Sequence, residues 1–251
     1  MKYLLVILSV LALSACQISE DVNPQNSDVD FEVELGSLRL RGENDFSMNL
    51  FLKDVDAIAV RITSSDEIDW ESGNSCIARN DSYECSVNIL GTGMQKYLVK
   101  VMVEEGLYAV QEIRVPVPEP LEQPRILSPE TAPEDNSFVD MSFQEVGAER
   151  YMVYVAMCHE YMNDGINPCL NEDQYELVQQ DGEWIVTEFY TINGPEVTEG
   201  NDVINLTSNF VLTMDESIDY YVEAYKEVLL QDEKGRDVPA FLSSYYSLSL
   251  Q

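Results

Sequence analysis

Apolar and polar residues alternate along most of this chain. Alternation with a period of two places apolar side chains on one face of a β-strand and is typical of a half-buried antiparallel sheet. The pattern begins at Phe31 and continues to Val115, interrupted by turn signals such as Arg41-Gly42-Glu43-Asn44. We expect about six to eight short strands in this region, as in one β-sandwich.

A second alternating region follows a proline-rich segment. Four of the nine residues from Pro116 to Pro124 are proline, which cannot donate to a sheet ladder and favours extended chain. We therefore place a linker at 117–124, between one sandwich at 31–116 and another at 125–251. The predicted fold class is all-β, with two tandem antiparallel β-sandwiches.

The first residues form a secretory signal. Lys2 precedes an apolar run that ends in Leu13-Ser14-Ala15-Cys16, and the run is shorter than the roughly 20 residues that a spanning helix needs. This opening resembles the signal of bacterial lipoproteins. The resemblance implies that residues 1–15 are removed and that Cys16 is acylated and becomes the mature N-terminus.

The acylated cysteine is expected to attach the protein to a membrane. Residues 16–30 are polar, acidic and without periodicity, which is typical of a disordered tether. Gln17 follows the cysteine, where an aspartate would imply retention at the inner membrane. The resemblance to lipoproteins therefore implies a protein anchored in the cell envelope, at the outer membrane.

The second alternating region carries a recognisable set of positions: Pro124 with Ile126-Leu127, Tyr151-Met152-Val153-Tyr154, and Met214, Tyr220 and Val222. At these positions it resembles a fibronectin type III domain, and the resemblance implies that Tyr220 caps a corner by hydrogen bonding to the backbone. Phe143 stands where the family usually has tryptophan, and residues 157–190 exceed the usual family length with a loop and an inserted hairpin. The first region is less distinctive and resembles only the broader immunoglobulin-like class.

The chain is strongly acidic. It has 46 Asp and Glu residues against 14 Lys and Arg residues, for a formal net charge of −32. Such a surface repels nucleic acid and anionic lipid headgroups, so we expect no nucleic-acid partner. The acyl chains, rather than charge, must then hold the protein at the membrane.

Four cysteines remain once Cys16 carries lipid. In an oxidising compartment an even number favours disulfides, and three pairings are possible. Local pairing of Cys76 with Cys85 and of Cys158 with Cys169 is favoured because each pair brackets a short polar loop. A zinc site is disfavoured because the chain has one histidine and neither pair has the C-x2-C spacing.

No spacing of residues indicates catalysis. The single histidine, His159, adjoins Cys158, and no nucleophile motif or phosphate-binding glycine loop is present. We predict that the protein is not an enzyme and has no cofactor. The alternative to having no cofactor is that acidic loops at 163–167 and 171–173 bind calcium. Neither loop matches the twelve-residue calcium motif.

Tyrosines are frequent in the second region. In a strand the neighbours Tyr220-Tyr221 and Tyr245-Tyr246 point to opposite faces, so one of each pair should be exposed. Exposed tyrosines suit contact with a protein or a glycan. Candidate binding residues in the lengthened segment are Tyr161, His159 and Trp184, although Trp184 could instead close the core.

The sequence therefore predicts a non-catalytic, lipid-anchored cell-envelope protein that acts as an interaction or adhesion module. Two alternatives remain open. One is an accessory subunit of an envelope assembly or transport system, and the other is a glycan-binding module.

Overall fold

The computed structural model describes residues 25–26, 29–130, 138–159, 169–189, 196–200, 202–211 and 216–250. This part of the chain contains no helix, and so no helix there that could cross a membrane. The strands are β1 (Gln25–Asn26), β2 (Glu32–Arg41), β3 (Asp45–Lys53), β4 (Ala59–Thr63), β5 (Asn74–Ser75), β6 (Ile77–Arg79), β7 (Ser82–Val87), β8 (Gly93–Glu104), β9 (Leu107–Val117), β10 (Ile126–Ser128), β11 (Phe138–Gln144), β12 (Arg150–His159), β13 (Cys169–Gln180), β14 (Glu183–Phe189), β15 (Glu196–Gly200), β16 (Val203–Val211), β17 (Glu216–Gln231) and β18 (Asp237–Leu250).

The strands form three sheets. A five-stranded sheet has the order β1-β9-β8-β4-β5, a four-stranded sheet has the order β10-β11-β16-β15, and a nine-stranded sheet has the order β14-β13-β12-β17-β18-β2-β3-β7-β6. The nine-stranded sheet, here called the shared sheet, packs against both smaller sheets. The pairs β1–β9 and β18–β2 are parallel, and the other pairs are antiparallel.

The first sandwich packs the five-stranded sheet against β2, β3 and β7 of the shared sheet. Alternate residues of each strand point inward, as the sequence pattern predicts. Its core includes Leu38, Phe46 and Leu50 from the shared sheet and Ile62 and Val99 from the opposite sheet, all at most 2 % exposed.

The second sandwich packs the four-stranded sheet against β14, β13, β12, β17 and β18. These strands have the arrangement of a variable-type immunoglobulin domain, in which two further strands extend one of the sheets. The hairpin predicted at Asp181-Gly182 supplies those two strands, β13 and β14. Phe143 and Tyr151 lie at the centre of its core and are fully buried.

The long hairpin of β17 and β18 belongs to both sandwiches. Its open end contributes Tyr220 and Val222 to the second core, whereas Val238 and Ala240 near its tip are buried in the first core. The 16 residues of β17 span about 50 Å at 3.3 Å per residue. The hairpin therefore joins the two sandwiches by continuous strands.

Ion pairs hold the tip of this hairpin against β2 and β3. Arg236 contacts Asp232 and Glu34 at 2.7 Å each, and Lys53 contacts Glu34 at 2.6 Å. Neighbouring lysine and arginine groups lower the pKa of the Glu34 carboxyl. The turn is thus fastened to the first sandwich by charge as well as by apolar packing.

The predicted fold class is confirmed: the described residues are all-β and form two β-sandwiches. The boundaries differ in three places from those expected. Strand β9 continues to Val117, which is buried in the first core, and Gln25–Asn26 form a strand within the predicted tether. The last strands also return to the first core, because long-range pairing of β18 with β2 extends one sheet across the linker.

The disulfide between Cys76 and Cys85 lies where the chain changes sheets. Cys76 separates β5 of the five-stranded sheet from β6 of the shared sheet, and Cys85 on β7 is fully buried. The bond therefore fastens the crossing segment to the first core. In the second predicted pair, the backbone of Cys158 lies opposite Cys169 in the register of β12 and β13, and a bond between them stays a prediction.

Candidate interaction surface

Three tyrosines form a row on the outer face of the second sandwich. Tyr154 on β12 lies opposite Tyr221 on β17, and Tyr245 on β18 lies opposite Glu223, two positions along β17 from Tyr221. Strand alternation explains this placement, because Tyr220 is buried in the core while its neighbour Tyr221 faces outward. Tyr245 is 44 % exposed.

The rings of the row contact one another. The centroids of Tyr154 and Tyr221 lie 5.6 Å apart with the rings edge to face, and those of Tyr221 and Tyr245 lie 5.6 Å apart with the rings nearly parallel. Both arrangements are favourable for aromatic pairs. The row is therefore ordered by its own contacts.

Arg41, from the first sandwich, extends over this row. Its guanidinium lies 5.0 Å from the centroid of the Tyr245 ring and donates a 3.2 Å hydrogen bond to the Tyr221 hydroxyl. It also pairs with the Glu223 carboxylate at 3.4 Å. Arg41 thus ties the end of β2 to the surface of the second sandwich.

The Tyr221 hydroxyl is the centre of this network. It accepts from Arg41 and donates to the Glu223 carboxylate at 2.9 Å. Burial, together with the hydrogen bond to Glu223, raises the pKa of Tyr221 to about 12. The hydroxyl therefore stays protonated at neutral pH, and the network is electrically balanced by one arginine and one glutamate.

A second arginine extends the network towards β13. Arg150 lies 4.7 Å from the centroid of the Tyr225 ring and pairs with Glu176 at 3.2 Å. Thr187 on β14 donates to the same carboxylate at 3.1 Å. Together, Tyr154, Tyr221, Tyr245, Arg41 and Glu223 define what is called here the aromatic strip, with Arg150 and Tyr225 beside it.

A cleft lies beside the aromatic strip, where the two sandwiches meet. It has a volume of about 530 Å³ and is lined by the β2–β3 turn at 41–45, by Gln123 of the linker and by residues 244–247 of β18. Gln123 donates a 3.2 Å hydrogen bond to the Tyr245 carbonyl. The buried hydroxyl of Ser244 has no hydrogen-bond partner among the described residues.

The surface has the chemistry of binding. It offers aromatic rings, hydroxyls and guanidinium groups but pairs no nucleophile with a general base. Within the described ranges, no group of three or more His, Cys, Asp and Glu residues is arranged to hold a metal ion. Of the two acidic segments expected to be loops, 163–167 lies outside those ranges, whereas 171–173 belongs to strand β13 because it pairs with β12.

The structure places Trp184 in the core of the second sandwich. It is 4 % exposed and packs edge to face on Tyr151 with centroids 4.9 Å apart, and its indole nitrogen donates to Glu145. The structure therefore does not support a contact role for Trp184. Of the two alternatives that the sequence left open, the core position is the one observed. The large indole fills the space beneath β14 because strand alternation directs it inward.

The other candidate residues are not brought together by the described structure. His159 ends β12, where its backbone lies opposite Glu216. Tyr161 and Cys16 lie outside the described residues. The predicted corner hydrogen bond of Tyr220 is not formed among the described residues, because its buried hydroxyl has no hydrogen-bond partner there.

The sequence did not identify Arg41 and Glu223 as site residues. The only local signal was the pair Tyr220-Tyr221, which placed one tyrosine outside. Arg41 and Tyr221 are 180 positions apart, so no local pattern could connect them.

No protein-family model matches the sequence, and the search of curated proteins finds no relative. Solved structures that are similar include a chimeric titin Z1Z2 functionalised with a KLER peptide from decorin, at 13 % identity and a TM-score of 0.30, covering 88 % of this chain and 96 % of that one. Titin Z1Z2 in complex with telethonin matches at 13 % identity and a TM-score of 0.25, covering 90 % and 98 %. Murine CEACAM1b matches at 10 % identity and a TM-score of 0.26, covering 88 % and 99 %. The β-sandwich fold rests on the strand pairings and cores described above.

Proposed function

We propose that this protein is a non-catalytic, lipid-anchored interaction module of the cell envelope that binds a protein partner through the aromatic strip. The observation that carries the proposal is the ordered row of Tyr154, Tyr221 and Tyr245 beneath Arg41. Tyrosine and arginine are enriched among the residues that dominate binding energy at protein interfaces. Rings already held in place also lose little conformational entropy on binding.

A protein partner is favoured over a glycan by the state of the rings. Tyr221 and Tyr245 stack against each other, and Arg41 covers Tyr245. Their faces are therefore engaged within the protein, which leaves edges and hydroxyls for a partner. The cleft of about 530 Å³ beside Tyr245 is the observation that favours the glycan alternative.

Photo-crosslinking in whole cells tests this proposal. A photoreactive amino acid at Ser247, which lies opposite Tyr221 on the outer face, should crosslink to one discrete protein. The double variant Tyr154→Ser/Tyr245→Ser should suppress that adduct, whereas Met94→Ser, an exposed apolar residue of the five-stranded sheet, should not. Adducts to polysaccharide alone, or an unchanged adduct in the double variant, would overturn it.

The lipid anchor belongs to the same proposal and is supported by the sequence at Cys16. Cys16→Ala should release the protein from outer-membrane fractions, because in this proposal the acyl chains supply the membrane affinity and a strongly acidic chain is repelled by anionic headgroups. Fractionation of cells with immunodetection measures this. Persistent membrane association of the variant would contradict the anchor.

A further inference from the structure

Arg39 has no acidic partner among the described residues, although acidic residues in this chain outnumber basic ones by 46 to 14. Its neighbours on the outer face are mostly paired: Arg41 binds Glu223, and Arg79 binds Glu84 at 2.9 Å. Arg39 is exposed on the same face. Because the described part of the chain provides no acidic partner for it, the Arg39 guanidinium is available to an outside anion.

Phe241 stands beside this arginine. It lies opposite Arg39 in the parallel pairing of β18 with β2, and it is 43 % exposed. Adjacent strands are about 4.8 Å apart, so the two side chains leave neighbouring backbone positions, and both line the same cavity. Glu227 lies on the far side of Phe241, about two strand spacings from Arg39, and does not compensate its charge.

A small cavity accompanies the pair. It has a volume of about 230 Å³, and the residues around it include Ser37, Arg39, Ser47, Asn49, Phe241 and the paired Arg79 and Glu84. The Asn49 amide donates to the Ser37 hydroxyl at 3.1 Å. The cavity therefore combines a guanidinium without an acidic partner in the described part of the chain, an Arg79–Glu84 ion pair, hydroxyl and amide groups, and one apolar ring.

We propose that Arg39 and Phe241 form a subsite that takes an acidic side chain of a protein partner together with an adjacent apolar side chain. A carboxylate can accept two parallel hydrogen bonds from a guanidinium, which fixes its orientation. Phe241 supplies apolar contact, and because both side chains line one cavity of about 230 Å³, the carboxylate and the apolar group of the ligand must be separated by only a few bonds.

This inference rests on the proposed function and names the chemistry of the partner. The subsite lies on the same face as the aromatic strip, since Phe241 and Tyr245 are four residues apart on β18 and alternate residues share a face. At about 3.3 Å per residue their separation is about 13 Å, which is within the width of one protein interface. A single partner can therefore cover both.

The probe for this subsite is 3-phenylpropionate, which carries a carboxylate and a ring two carbons apart. It is titrated into the mature, isotope-labelled chain carrying Cys16→Ala, and amide shifts are followed by NMR. We expect shifts around Arg39, Ser47 and Phe241. Binding of the neutral analogue 3-phenylpropanamide should be at least fivefold weaker, because it lacks the charge that the guanidinium recognises.

Two variants separate the roles of the two side chains. Arg39→Gln should weaken 3-phenylpropionate binding at least fivefold, whereas Arg114→Gln, a control at an exposed arginine of the five-stranded sheet, should leave it unchanged. Phe241→Ala should also weaken it. Equal binding of the amide, or no effect of Arg39→Gln, would overturn the inference.

Methyl glucuronide distinguishes an acidic glycan from a protein side chain. Binding of this sugar as tight as that of 3-phenylpropionate, and insensitive to Phe241→Ala, would overturn the protein assignment. The probe experiment needs no natural partner, so its failure leaves the crosslinking result at Ser247 intact. Conversely, failure of the crosslinking experiment would overturn the proposed function without changing the measured binding of 3-phenylpropionate.

Discussion

At the scale of single residues, inward and outward positions are set by strand alternation, while their partners come from distant parts of the chain. Tyr220 and Tyr221 are neighbours, yet one is fully buried and the other belongs to the aromatic strip. Trp184 follows the same rule and faces inward from β14. A residue's face is thus a local property.

The burial of Trp184 can be checked by fluorescence. The chain has two tryptophans, so Trp70→Phe leaves Trp184 as the only reporter. We expect a blue-shifted emission that acrylamide quenches poorly, because the indole is 4 % exposed against Tyr151. Trp184→Ala should destabilise the fold by about 3–5 kcal/mol, as for other large aromatic residues in cores. A red-shifted and readily quenched emission would show that Trp184 is exposed to solvent and would contradict this prediction.

Buried tyrosines predict loss of stability at alkaline pH. Burial raises the pKa of Tyr97 and of Tyr151 to about 12, against about 10 in the unfolded chain. A folded-state pKa above the unfolded value contributes stability that is complete below pH 10 and is lost as the pH rises towards 12. Absorbance at 295 nm and circular dichroism should show these tyrosines ionising together with unfolding. Full ionisation near pH 10 with the fold retained would contradict this.

At the scale of strands, a disulfide and a group of ion pairs hold together segments of different strands. The Cys76–Cys85 disulfide fastens the crossing between sheets, and the ion pairs around Arg236 fasten the hairpin tip. The exposed ion pairs are worth less than the apolar contacts of Val238 and Ala240 beside them, because surface pairs contribute at most about 1 kcal/mol. The tip is therefore held mainly by apolar burial.

Removing the disulfide should weaken the first sandwich. The double variant Cys76→Ser/Cys85→Ser should lose about 2–3 kcal/mol of unfolding free energy, because a loop of this length loses that much entropy in the unfolded chain when it is closed. Urea denaturation of the variant and of the parent chain measures the difference. The reduced parent should match the variant, and an unchanged midpoint would show that the bond is not formed in the purified protein.

Peptide mapping without reduction checks the second pair. The backbone positions of Cys158 and Cys169 are opposite in the register of β12 and β13, which brings their Cα atoms close enough for a bond. We expect one peptide that joins these two cysteines. Free thiols at both positions would contradict the pairing.

At the scale of the whole molecule, the shared sheet makes two sandwiches into one structure. Nine strands run in one hydrogen-bonded order from β14 to β6, and the β17–β18 hairpin is buried in both cores. Unfolding one sandwich would therefore expose part of the other core. Two domains joined only by a linker would have no such coupling.

We therefore expect the two sandwiches to unfold together. Trp70 lies in the first sandwich, beside Tyr108, and Trp184 lies in the second. In urea titrations the variants Trp184→Phe and Trp70→Phe, each corrected for its own stability by circular dichroism, should show fluorescence and circular dichroism transitions that coincide. Transitions that separate within one variant would mean that the sandwiches unfold independently.

The sequence by itself determined the strands, the two regions of alternation, the faces of the paired tyrosines and the bond between Cys76 and Cys85. These properties depend on the period of two or on residues close together in the chain, so a local pattern suffices. Only the tertiary structure decided that β18 pairs with β2, that Arg41 joins Tyr221 and Glu223, and that Arg39 lies opposite Phe241. These contacts join residues roughly 180 to 200 positions apart, and alternation fixes the face of a strand without choosing its neighbour.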